Sequence, residues 1–275
     1  MKNGIVADIQ RCSFHDGGGI RTSVFLKGCN MRCAWCHNPE TISPEPQYLI
    51  NEEKCIGCGQ CADGCYAGAR TLCGTRMTAE EVAEVVLLDA PYYGDDGGVT
   101  VTGGEPSVQG DFAAEILKIC HEKGIHTAVE TNMLCSWTRL FPLLQNADLI
   151  MADLKVFDSS LHRQWTGVEN IAIKENFMKA AELQKPMILR TPVIAGINDN
   201  IGELSAIASF AEGLSPLLYY ELLPYHSLGL SKGKIEGSDF VNNQFEKMSL
   251  KKVEELAQSI KSCCREIRVA GKRIL

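Results

Sequence analysis

Segments with helical periodicity alternate with short apolar segments along the chain from about residue 78 onward. Thr78 and Glu81 have the spacing of a capping box and predict the start of a helix in which Val82, Val85 and Val86 share one face. Strands are predicted at residues 99–102, 127–130, 149–154, 187–193 and 217–223, with an earlier strand at 23–27. Alternating helices and strands favour a parallel sheet with helices packed outside, so the chain is predicted to be an α/β protein.

The apolar spacing also predicts the helices between these strands. Phe112, Ile116, Leu117 and Cys120 share one helical face, which indicates that Cys120 is a core residue. Further helices are expected around Leu140, Phe177 and Ile207. The last predicted helix carries the apolar residues Phe245, Met248, Val253, Leu256 and Ile260.

The number of units limits the architecture. The pattern gives about six β/α units, whereas a closed eight-unit barrel takes about 250 residues. This chain of 275 residues also carries an insert at about residues 41–77. We therefore expect a partial (β/α)6 barrel of the TIM type, formed by residues 1–40 and 78–275, with residues 41–77 as a separate small insert.

Each predicted strand is followed by polar or small residues, and the C-terminal ends of parallel strands lie on one rim of such a fold. In strand order these groups are a cysteine-rich loop, Gly103-Gly104-Glu105-Pro106, Glu130-Thr131-Asn132, Asp153-Leu154-Lys155, Arg190, and Glu221 followed by Pro224-Tyr225-His226. A single Gly-Gly-Glu-Pro turn or a single histidine would be routine. Six polar groups at one rim predict a functional site there.

The cysteine-rich loop contains Cys29, Cys33 and Cys36 in a C-x3-C-x2-C spacing. A closed structural zinc site has four ligands, whereas three thiolates on a 4Fe-4S cluster leave one iron open to a substrate. The trio therefore predicts a reactive cluster. Two alternatives remain open from the spacing alone: His37 could complete a Cys3His zinc site, or the cysteines could be buried as small apolar side chains.

Composition excludes several classes of protein. Lys and Arg number 27 against 34 Asp and Glu, a net charge of −7 without long runs, so a nucleic-acid partner is not expected. No segment approaches the roughly 18 apolar residues of a membrane helix, so no membrane partner is expected. Thirteen cysteines, an odd number grouped at metal-ligand spacings, predict a reducing and anaerobic cytoplasm rather than a disulfide framework.

Taken together, the motifs resemble those of the radical S-adenosylmethionine (SAM) superfamily, and in particular the glycyl radical enzyme activating family. The matching segments cover most of the chain and are Asp16-Gly17-Gly18-Gly19-Ile20-Arg21, the cysteine loop through His37-Asn38-Pro39-Glu40, Gly103-Gly104-Glu105-Pro106, Asp153-Leu154-Lys155 and Leu223-Pro224-Tyr225-His226. The resemblance implies the partial barrel of that superfamily. It also implies a partner glycyl radical enzyme as the protein substrate.

The same resemblance implies the roles of individual residues. Cys29, Cys33 and Cys36 would hold the cluster, whose fourth iron SAM would chelate. The residues implied to contact SAM are Trp35, Cys36, His37, Gly103, Gly104, Glu105, Asp153, Leu154, Lys155, Arg190 and His226. A monovalent cation would be held by Glu130, Thr131, Met151 and Asp153, and Asp16 would contact the incoming polypeptide. The reduced cluster would cleave SAM to methionine and a 5′-deoxyadenosyl radical, which would take a hydrogen from a glycine Cα, with flavodoxin or ferredoxin as the electron donor.

A second cysteine group lies in the insert. Cys55, Cys58, Cys61 and Cys65 have the C-x2-C-x2-C-x3-C spacing of bacterial ferredoxins and predict one auxiliary 4Fe-4S cluster in a ferredoxin-like insert. Cys65 is the favoured fourth ligand and Cys73 is its rival, because Tyr66 stands where such runs usually have proline. A zinc ribbon is the alternative. The auxiliary cluster is expected to relay electrons, or to dock the electron donor or the partner.

Two other functions remain as alternatives. A radical SAM enzyme could act on a small molecule, although the segment around Asp16 favours a polypeptide substrate. An iron-sulfur electron-transfer protein would use only the ferredoxin spacing and would leave the Gly-Gly-Glu-Pro and Asp-Leu-Lys motifs unexplained. A monomer is expected.

Overall fold

The computed structural model, which describes residues 2–14, 16–61, 64–240 and 243–274, contains one large sheet and one small sheet. Numbered in chain order, the strands are β1 (Asn3–Ser13), β2 (Arg21–Leu26), β3 (Gln47–Ile50), β4 (Arg70–Cys73), β5 (Thr75–Thr78), β6 (Gly98–Gly103), β7 (His126–Thr131), β8 (Leu149–Asp153), β9 (Met187–Val193), β10 (Leu217–Pro224), β11 (Lys234–Ile235), β12 (Ile267–Val269) and β13 (Lys272–Arg273). The α-helices are α1 (Ala79–Leu87), α2 (Gly110–Glu122), α3 (Trp137–Gln145), α4 (Ser159–Thr166), α5 (Ile171–Ala181), α6 (Ile201–Glu212) and α7 (Leu250–Ser259).

The six predicted strands are confirmed as neighbours in one parallel sheet. Strands β2, β6, β7, β8, β9 and β10 pair in that order, and each adjacent pair is parallel. The helices α1 to α6 lie in the connections between these strands, which is the arrangement expected of a partial β/α barrel. Strand β12 extends the sheet as a further parallel strand next to β10, so the prediction of six strands was one too few.

Alternating residues give the sheet two different faces. On β6, Val99 and Val101 are fully buried in the large apolar core that the helices cover. The opposite face carries a smaller apolar cluster, which consists of Ala128, Leu149, Met151 and Ile188 with Tyr219 beside it. Thr100 and Thr102 of β6 lie on this second face, where Thr102 donates a hydrogen bond to Glu130. The polar strand ends described below lie on the same face, here called the inner sheet face.

The N-terminal cap of α1 agrees with the prediction, whereas the cap of the last helix places its start later than predicted. Thr78 Oγ1 accepts from the N–H of Glu81, and the Glu81 carboxylate accepts from the N–H of Thr78, so the predicted capping box is confirmed. The last helix begins only at Leu250, because Ser249 caps it by accepting from the N–H of Lys252. The prediction that Phe245 and Met248 lie in this helix was therefore wrong.

The N-terminal part forms additional antiparallel strands. Strand β1 pairs with β2 on one side and with β5 on the other, so the large sheet continues beyond the parallel strands. The small sheet consists of β3 between β4 and the distant β11. Most of β5 lies inside the predicted insert, yet this strand pairs with β1 of the large sheet. The division of the chain at residues 41–77 stays a prediction. Among the described residues, no helix is long and apolar enough to cross a membrane.

Candidate functional site

The cysteine loop leaves the C-terminal end of β2 and is held by backbone hydrogen bonds. The N–H of Cys29 donates to the carbonyl of Ile42 at 2.9 Å. The N–H groups of Arg32 and Ala34 donate to carbonyls at the C-terminal end of α4, those of Thr166 and Trp165, both at 2.9 Å. Carbonyls at a helix C-terminus are free to accept such bonds because no following turn uses them. The loop conformation is therefore defined by the chain itself.

The three thiols of this loop are shielded from water and lie close enough to interact. Cys33 is buried, and Cys29 and Cys36 are partly buried. Burial raises the pKa of Cys29 and of Cys36 to about 12, and each of these is raised further by the Cys33 thiol. Burial likewise raises the pKa of Cys33, whereas the Lys155 ammonium lowers it. Three shielded thiols, two of which are influenced by Cys33 and all three by Lys155, fit the ligand set of a 4Fe-4S cluster, because metal binding takes the place of the proton.

The Gly-Gly-Glu-Pro turn packs directly against the start of the cysteine loop. A Cβ on Gly103 would lie 2.2 Å from the nitrogen of Leu26, and a Cβ on Gly104 would lie 2.3 Å from the oxygen of Gly28. The N–H of Gly104 donates to Leu26 O at 2.9 Å, and the N–H of Glu105 donates to Gly28 O at 2.8 Å. Both glycines are therefore required for a close backbone approach. The residues that they approach are those that lead into Cys29.

Glu105 is fully buried and connects three strand ends. Its Oε1 accepts from the N–H of Ser107 at 3.0 Å and from the hydroxyl of Thr131 at 2.7 Å, and its Oε2 accepts from the N–H of Asn132 at 2.7 Å. Burial raises the pKa of Glu105, and these hydrogen bonds oppose the rise. The Asn132 side chain in turn donates to Asn30 Oδ1 at 2.9 Å. A continuous hydrogen-bond network therefore joins the turn after β6, the end of β7 and the cysteine loop.

Asp153 and Lys155 form an ion pair at the end of β8. Lys155 Nζ lies 2.6 Å from Asp153 Oδ2, and both side chains are largely buried. Burial opposes the positive charge of Lys155, but Asp153 and the Cys33 thiol outweigh it, so its pKa is raised above the usual value. Leu154 between them is fully buried, and its N–H donates to Arg190 O at 3.1 Å. The backbone of Leu154 thus holds the pair at the rim.

Arg190 of β9 lies among carboxylates on the same sheet face. Its Nη1 is 3.2 Å from Glu130 Oε1, and its Nε is 3.8 Å from Glu221 Oε2. Burial opposes the charge of Arg190, but Glu130, Asp153 and Glu221 outweigh it and raise its pKa. Burial also raises the pKa of Glu130, whereas Arg190 lowers it. Arg190 is the cation around which this part of the site is organised.

Two of the predicted residues meet above the rim. The rings of His37 and His226 are in contact, with centroids 4.0 Å apart and planes inclined at 66°. Burial lowers the pKa of His37 to about 4, and His226 and Lys232 lower it as well. His37 is therefore a neutral imidazole at pH 7.

Trp35, predicted to contact SAM, is only 5% exposed and belongs to the core. Its ring contacts Phe245 edge to face at a centroid distance of 6.2 Å. Phe245 also contacts Trp165 and Tyr225, at 5.8 Å and 6.0 Å. Such edge-to-face pairs stabilise beyond their buried area. These contacts anchor the segment before α7 against the cysteine loop, at the tryptophan that lies between Cys33 and Cys36 in the sequence.

Asp16 lies in the glycine loop that precedes β2, on the same side of the sheet as Thr100. Its carboxylate accepts from the hydroxyls of Ser13 and Ser23, and its backbone oxygen accepts from Thr100 at 2.7 Å. A Cβ on Gly17 would lie 3.2 Å from Leu149. The loop therefore covers part of the inner sheet face.

Comparison with known proteins identifies the family. The family described as "Radical SAM superfamily" matches residues 23–206 of the chain. The indoleacetate decarboxylase activating enzyme of Tractidigestivibacter scatoligenes is 35% identical over 86% of this chain and 87% of its own length. The isethionate sulfite-lyase activating enzyme of Nitratidesulfovibrio vulgaris is 36% identical over 83% of this chain and 86% of its own.

The chain belongs to the radical SAM activating enzymes. Among solved structures, a domain of pyruvate-formate lyase-activating enzyme from Bacteroides vulgatus is 29% identical, with a TM-score of 0.52 over 64% of this chain and 99% of that domain. The predicted resemblance, the α/β partial-barrel fold and the assignment as a radical SAM oxidoreductase of the activating type are confirmed. Membership of the superfamily implies SAM and a 4Fe-4S cluster as cofactors.

The four residues predicted to hold a monovalent cation each contact a protein group in this activating enzyme. Glu130 pairs with Arg190, the Thr131 hydroxyl donates to Glu105, Met151 Sδ lies 3.6 Å from Arg190 Nη1, and Asp153 pairs with Lys155. Three of these contacts are with cationic side chains. Among the described residues, no three His, Cys, Asp or Glu side chains converge as ligands of one metal ion. A 4Fe-4S cluster spreads its cysteine ligands over separate irons, so this finding does not bear on it.

The second cysteine group lies at the surface beside the small sheet. Cys55, Cys58 and Cys61 are exposed, and Cys65 is partly buried. The nearby backbone N–H groups, that of Ala69 most strongly, lower the pKa of Cys65. Cys73 is buried instead, and burial raises its pKa. Backbone N–H groups stabilise a thiolate, so of the two rivals Cys65 has the surroundings that favour the ligating form.

Several residues of the site were given no individual role by the sequence analysis. Asn30 and Asn132 complete the network around Glu105, and Glu221 accepts from the N–H of Gly271 at 2.8 Å while it pairs with Arg190. Asn132 and Glu221 were expected at the rim, because both lie in polar groups that end a predicted strand, but their partners were not predicted. Lys232, which contacts Asn38 and Glu40 next to the cysteine loop, has no local sequence signal.

Proposed function

We propose that Cys29, Cys33 and Cys36 hold a 4Fe-4S cluster at which this enzyme cleaves SAM in order to take a hydrogen atom from a glycine of a partner glycyl radical enzyme. The observation that carries the proposal is the position of the three shielded thiols beside Lys155, at the rim where six parallel strands end. When bound, the cluster supplies the electron for SAM cleavage, which releases methionine and, after hydrogen transfer, 5′-deoxyadenosine.

The protein's own residues bind and orient the cofactor in this proposal. Lys155, held by Asp153, contributes the positive charge that faces the SAM carboxylate. Arg190 keeps the carboxylates of the inner sheet face paired. The other residues proposed to line the SAM site are Trp35, His37, Gly103, Gly104, Glu105, Leu154 and His226. Backbone atoms already occupy the space next to Gly103 and Gly104. The proposed role of these glycines is therefore to let the turn pack closely against the cysteine loop.

The partner is proposed to be a glycyl radical enzyme of the decarboxylase, lyase or dehydratase type. Relatives are the activating enzymes of indoleacetate decarboxylase, isethionate sulfite-lyase and (2S)-3-sulfopropanediol dehydratase. Asp16, whose loop lies on the inner sheet face, is proposed to contact the incoming polypeptide. A cytoplasmic monomer reduced by flavodoxin or ferredoxin completes the proposal.

The insert is proposed to hold an auxiliary 4Fe-4S cluster through Cys55, Cys58, Cys61 and Cys65. The exposure of the first three cysteines supports a role in electron relay or in docking the donor, because an electron must enter from the protein surface. Cys58→Ala is expected to lower SAM cleavage with a protein reductant more than with a small artificial reductant. An equal loss with both reductants, in proportion to lost iron, would contradict the relay.

Anaerobic reconstitution tests the main proposal. The wild type is expected to bind about eight irons, two clusters of four, and to form 5′-deoxyadenosine when it is reduced with SAM present. Cys33→Ala is expected to abolish this product. Cys120→Ala is the matched control, because Cys120 lies on α2 in the helical layer of the core. A fully loaded protein that does not cleave SAM would refute the proposal and leave an electron carrier as the alternative.

A second measurement addresses the hydrogen donor. Electron paramagnetic resonance of a mixture with a candidate partner is expected to show a glycyl radical, with one 5′-deoxyadenosine formed for each radical. Asp16→Asn is expected to reduce radical formation while SAM cleavage without the partner is retained. Formation of the radical at the wild-type rate in that variant would argue against contact between Asp16 and the partner.

A further inference from the structure

Residues 226–236, here called the strap, run from the end of β10 to β11 and cross from the cysteine loop to the insert. The first half lies on the cysteine loop, where His226 contacts the ring of His37. A Cβ on Gly229 would lie 2.9 Å from the backbone oxygens of both Cys36 and His37. The strap backbone therefore packs against the segment that carries the third cysteine of the trio.

Lys232 is the polar anchor of this first half. Its Nζ contacts both Asn38 Oδ1 and Glu40 Oε1, two residues that directly follow the cysteine loop. The Glu40 side chain is 12% exposed and that of Lys232 is 29% exposed, so the ion pair is mostly shielded from water. Shielding strengthens an ion pair and makes loss of one partner costly.

The second half of the strap is part of the small sheet. Lys234 and Ile235 pair with Ile50 and Leu49 of β3, and the N–H of Glu236 donates to Tyr48 O at 2.9 Å. This pairing joins the strap by main-chain hydrogen bonds to the predicted insert.

Arg70 connects the end of the strap to the second cysteine group. Its guanidinium lies 3.0 Å from Glu236 Oε2 and stacks over the ring of Tyr48, with 3.2 Å between Cζ and the ring centroid. The same guanidinium donates to the carbonyl oxygen of Cys61 at 3.4 Å. A chain of direct contacts thus runs from the Cys61 backbone through Arg70 and the strap to Glu40.

We propose that the strap couples the two cluster regions, so that loading of the auxiliary cluster tightens SAM binding at the Cys29, Cys33 and Cys36 loop. The proposal rests on the proposed function of both cysteine groups. Residues 55–61 are exposed, and a bound metal would fix the positions of the cysteines that ligate it. Ordering holds Arg70 and Glu236 in place, and the strap then holds Lys232 against Asn38 and Glu40. The result is a coupling free energy between two separate sites.

A double-mutant cycle with Cys58→Ala and Lys232→Ala tests the coupling. The measurement is the dissociation constant of SAM, obtained by anaerobic calorimetry on protein whose SAM cluster is loaded. Each single change is expected to weaken SAM binding at least about fivefold, the lower end of typical coupling. The double variant is expected to bind SAM no more weakly than Lys232→Ala alone, because the coupling path is already cut. If the losses of SAM affinity in the two single variants instead multiply in the double variant, the proposal is overturned.

Hydrogen exchange gives a second readout that does not depend on activity. Amides of residues 29–40 are expected to exchange faster in Cys58→Ala than in the wild type, and Lys232→Arg is expected to retain the wild-type protection. Lys251→Gln is the control, because Lys251 is 87% exposed on α7. Unchanged protection of these amides in Cys58→Ala would overturn the proposal.

Milder variants keep the test valid if Lys232→Ala loses its cluster. Arg70→Gln and Glu236→Gln cut the strap at the insert end, where Glu236 is 50% exposed, and each is expected to reproduce the weaker SAM binding. A loaded wild type that neither binds nor cleaves SAM would refute the proposed function itself. A wild type that binds and cleaves SAM, with SAM affinity unchanged in both variants, would refute only the strap.

Discussion

Replacing Gly104 by alanine tests whether the Gly-Gly-Glu-Pro turn serves the cofactor or the packing of the cysteine loop. The added Cβ would lie 2.3 Å from Gly28 O, 2.7 Å from Gly28 C and 2.7 Å from Thr41 O. All three are backbone atoms that cannot rotate away. Ordinary contact starts at 3.4 Å, so the turn and the loop must separate by the difference, 3.4 − 2.3 = 1.1 Å.

This separation has an energetic and a functional consequence. It stretches the hydrogen bond from the N–H of Glu105 to Gly28 O, now 2.8 Å, and overpacking of this kind costs about 1–3 kcal/mol. For a chain of this size the melting temperature is expected to fall by about 2–10 °C. Because Cys29 follows Gly28 directly, a shift of about 1 Å is expected to slow SAM cleavage by about 100-fold.

The decisive assay is unfolding without cofactors. Urea unfolding of the reduced apoprotein, free of iron and SAM, is expected to show the loss in Gly104→Ala. Gly110→Ala is the matched control, because its Cβ would meet only Arg139 O at 3.5 Å and its φ is in the helical region. The control is expected to match or exceed the wild-type stability, since alanine is the better helix former.

Two outcomes would refute the reasoning about Gly104. An unchanged apoprotein stability in Gly104→Ala would mean that the close approach to Gly28 is not needed for folding. A wild-type rate of SAM cleavage in the same variant would mean that the position of the cysteine loop tolerates the added methyl group. A loss of stability in the apoprotein, which contains no SAM, would instead show that the alanine acts through packing and not through contact with the cofactor.

Three further predictions concern charge and cluster ligands. Lys155→Gln is expected to lower the free energy of unfolding by about 3 kcal/mol, because it leaves Asp153 without its partner in a shielded site; equal urea midpoints would contradict this. The Arg11 guanidinium pairs with Asp89 and holds the pKa of that carboxyl below its usual value. Asp89 therefore stabilises the fold at pH values above its unfolded pKa of about 3.8, and this contribution is lost as the pH falls through the folded pKa. Asp89→Asn is therefore expected to be less stable than the wild type at pH 7, with a gap in urea midpoint that narrows below about pH 4; a constant gap would count against it. Cys65→Ser is expected to lower the bound iron by up to about four atoms whereas Cys73→Ser retains it; the reverse result would favour Cys73 as ligand.

The parallel strands were predictable because each has a local signature. The range of β9, Met187–Val193, matches the predicted range, and β8 ends at Asp153, one residue earlier than predicted. Such strands are apolar, buried and bounded by polar or small residues, and this pattern lies within a short stretch of sequence. Strand β12 was missed because its three residues, Ile267–Val269, are too few to show any period.

The last helix shows how periodicity alone misleads. Phe245 and Met248 continue the helical spacing of Val253, but their side chains meet the core from a segment that is not helical. The hydroxyl of Ser249 marks the true start, because it satisfies an N–H that the first helical turn leaves free. A cap is therefore stronger evidence for a helix boundary than the continuation of an apolar pattern.

The site divides in the same way between local and distant determinants. The cysteines, the glycines and the pair of Asp153 and Lys155 stand in short motifs, so their place at the rim could be predicted from strand ends. The contact of Lys232 with Asn38 joins residues 194 positions apart, and that of Arg70 with Glu236 joins residues 166 positions apart. No local pattern encodes such pairs, because they form only after the sheets have brought the segments together. Communication between the two cysteine groups is therefore a property of the tertiary structure, and substitutions in the strap are expected to change it while both cysteine motifs stay intact.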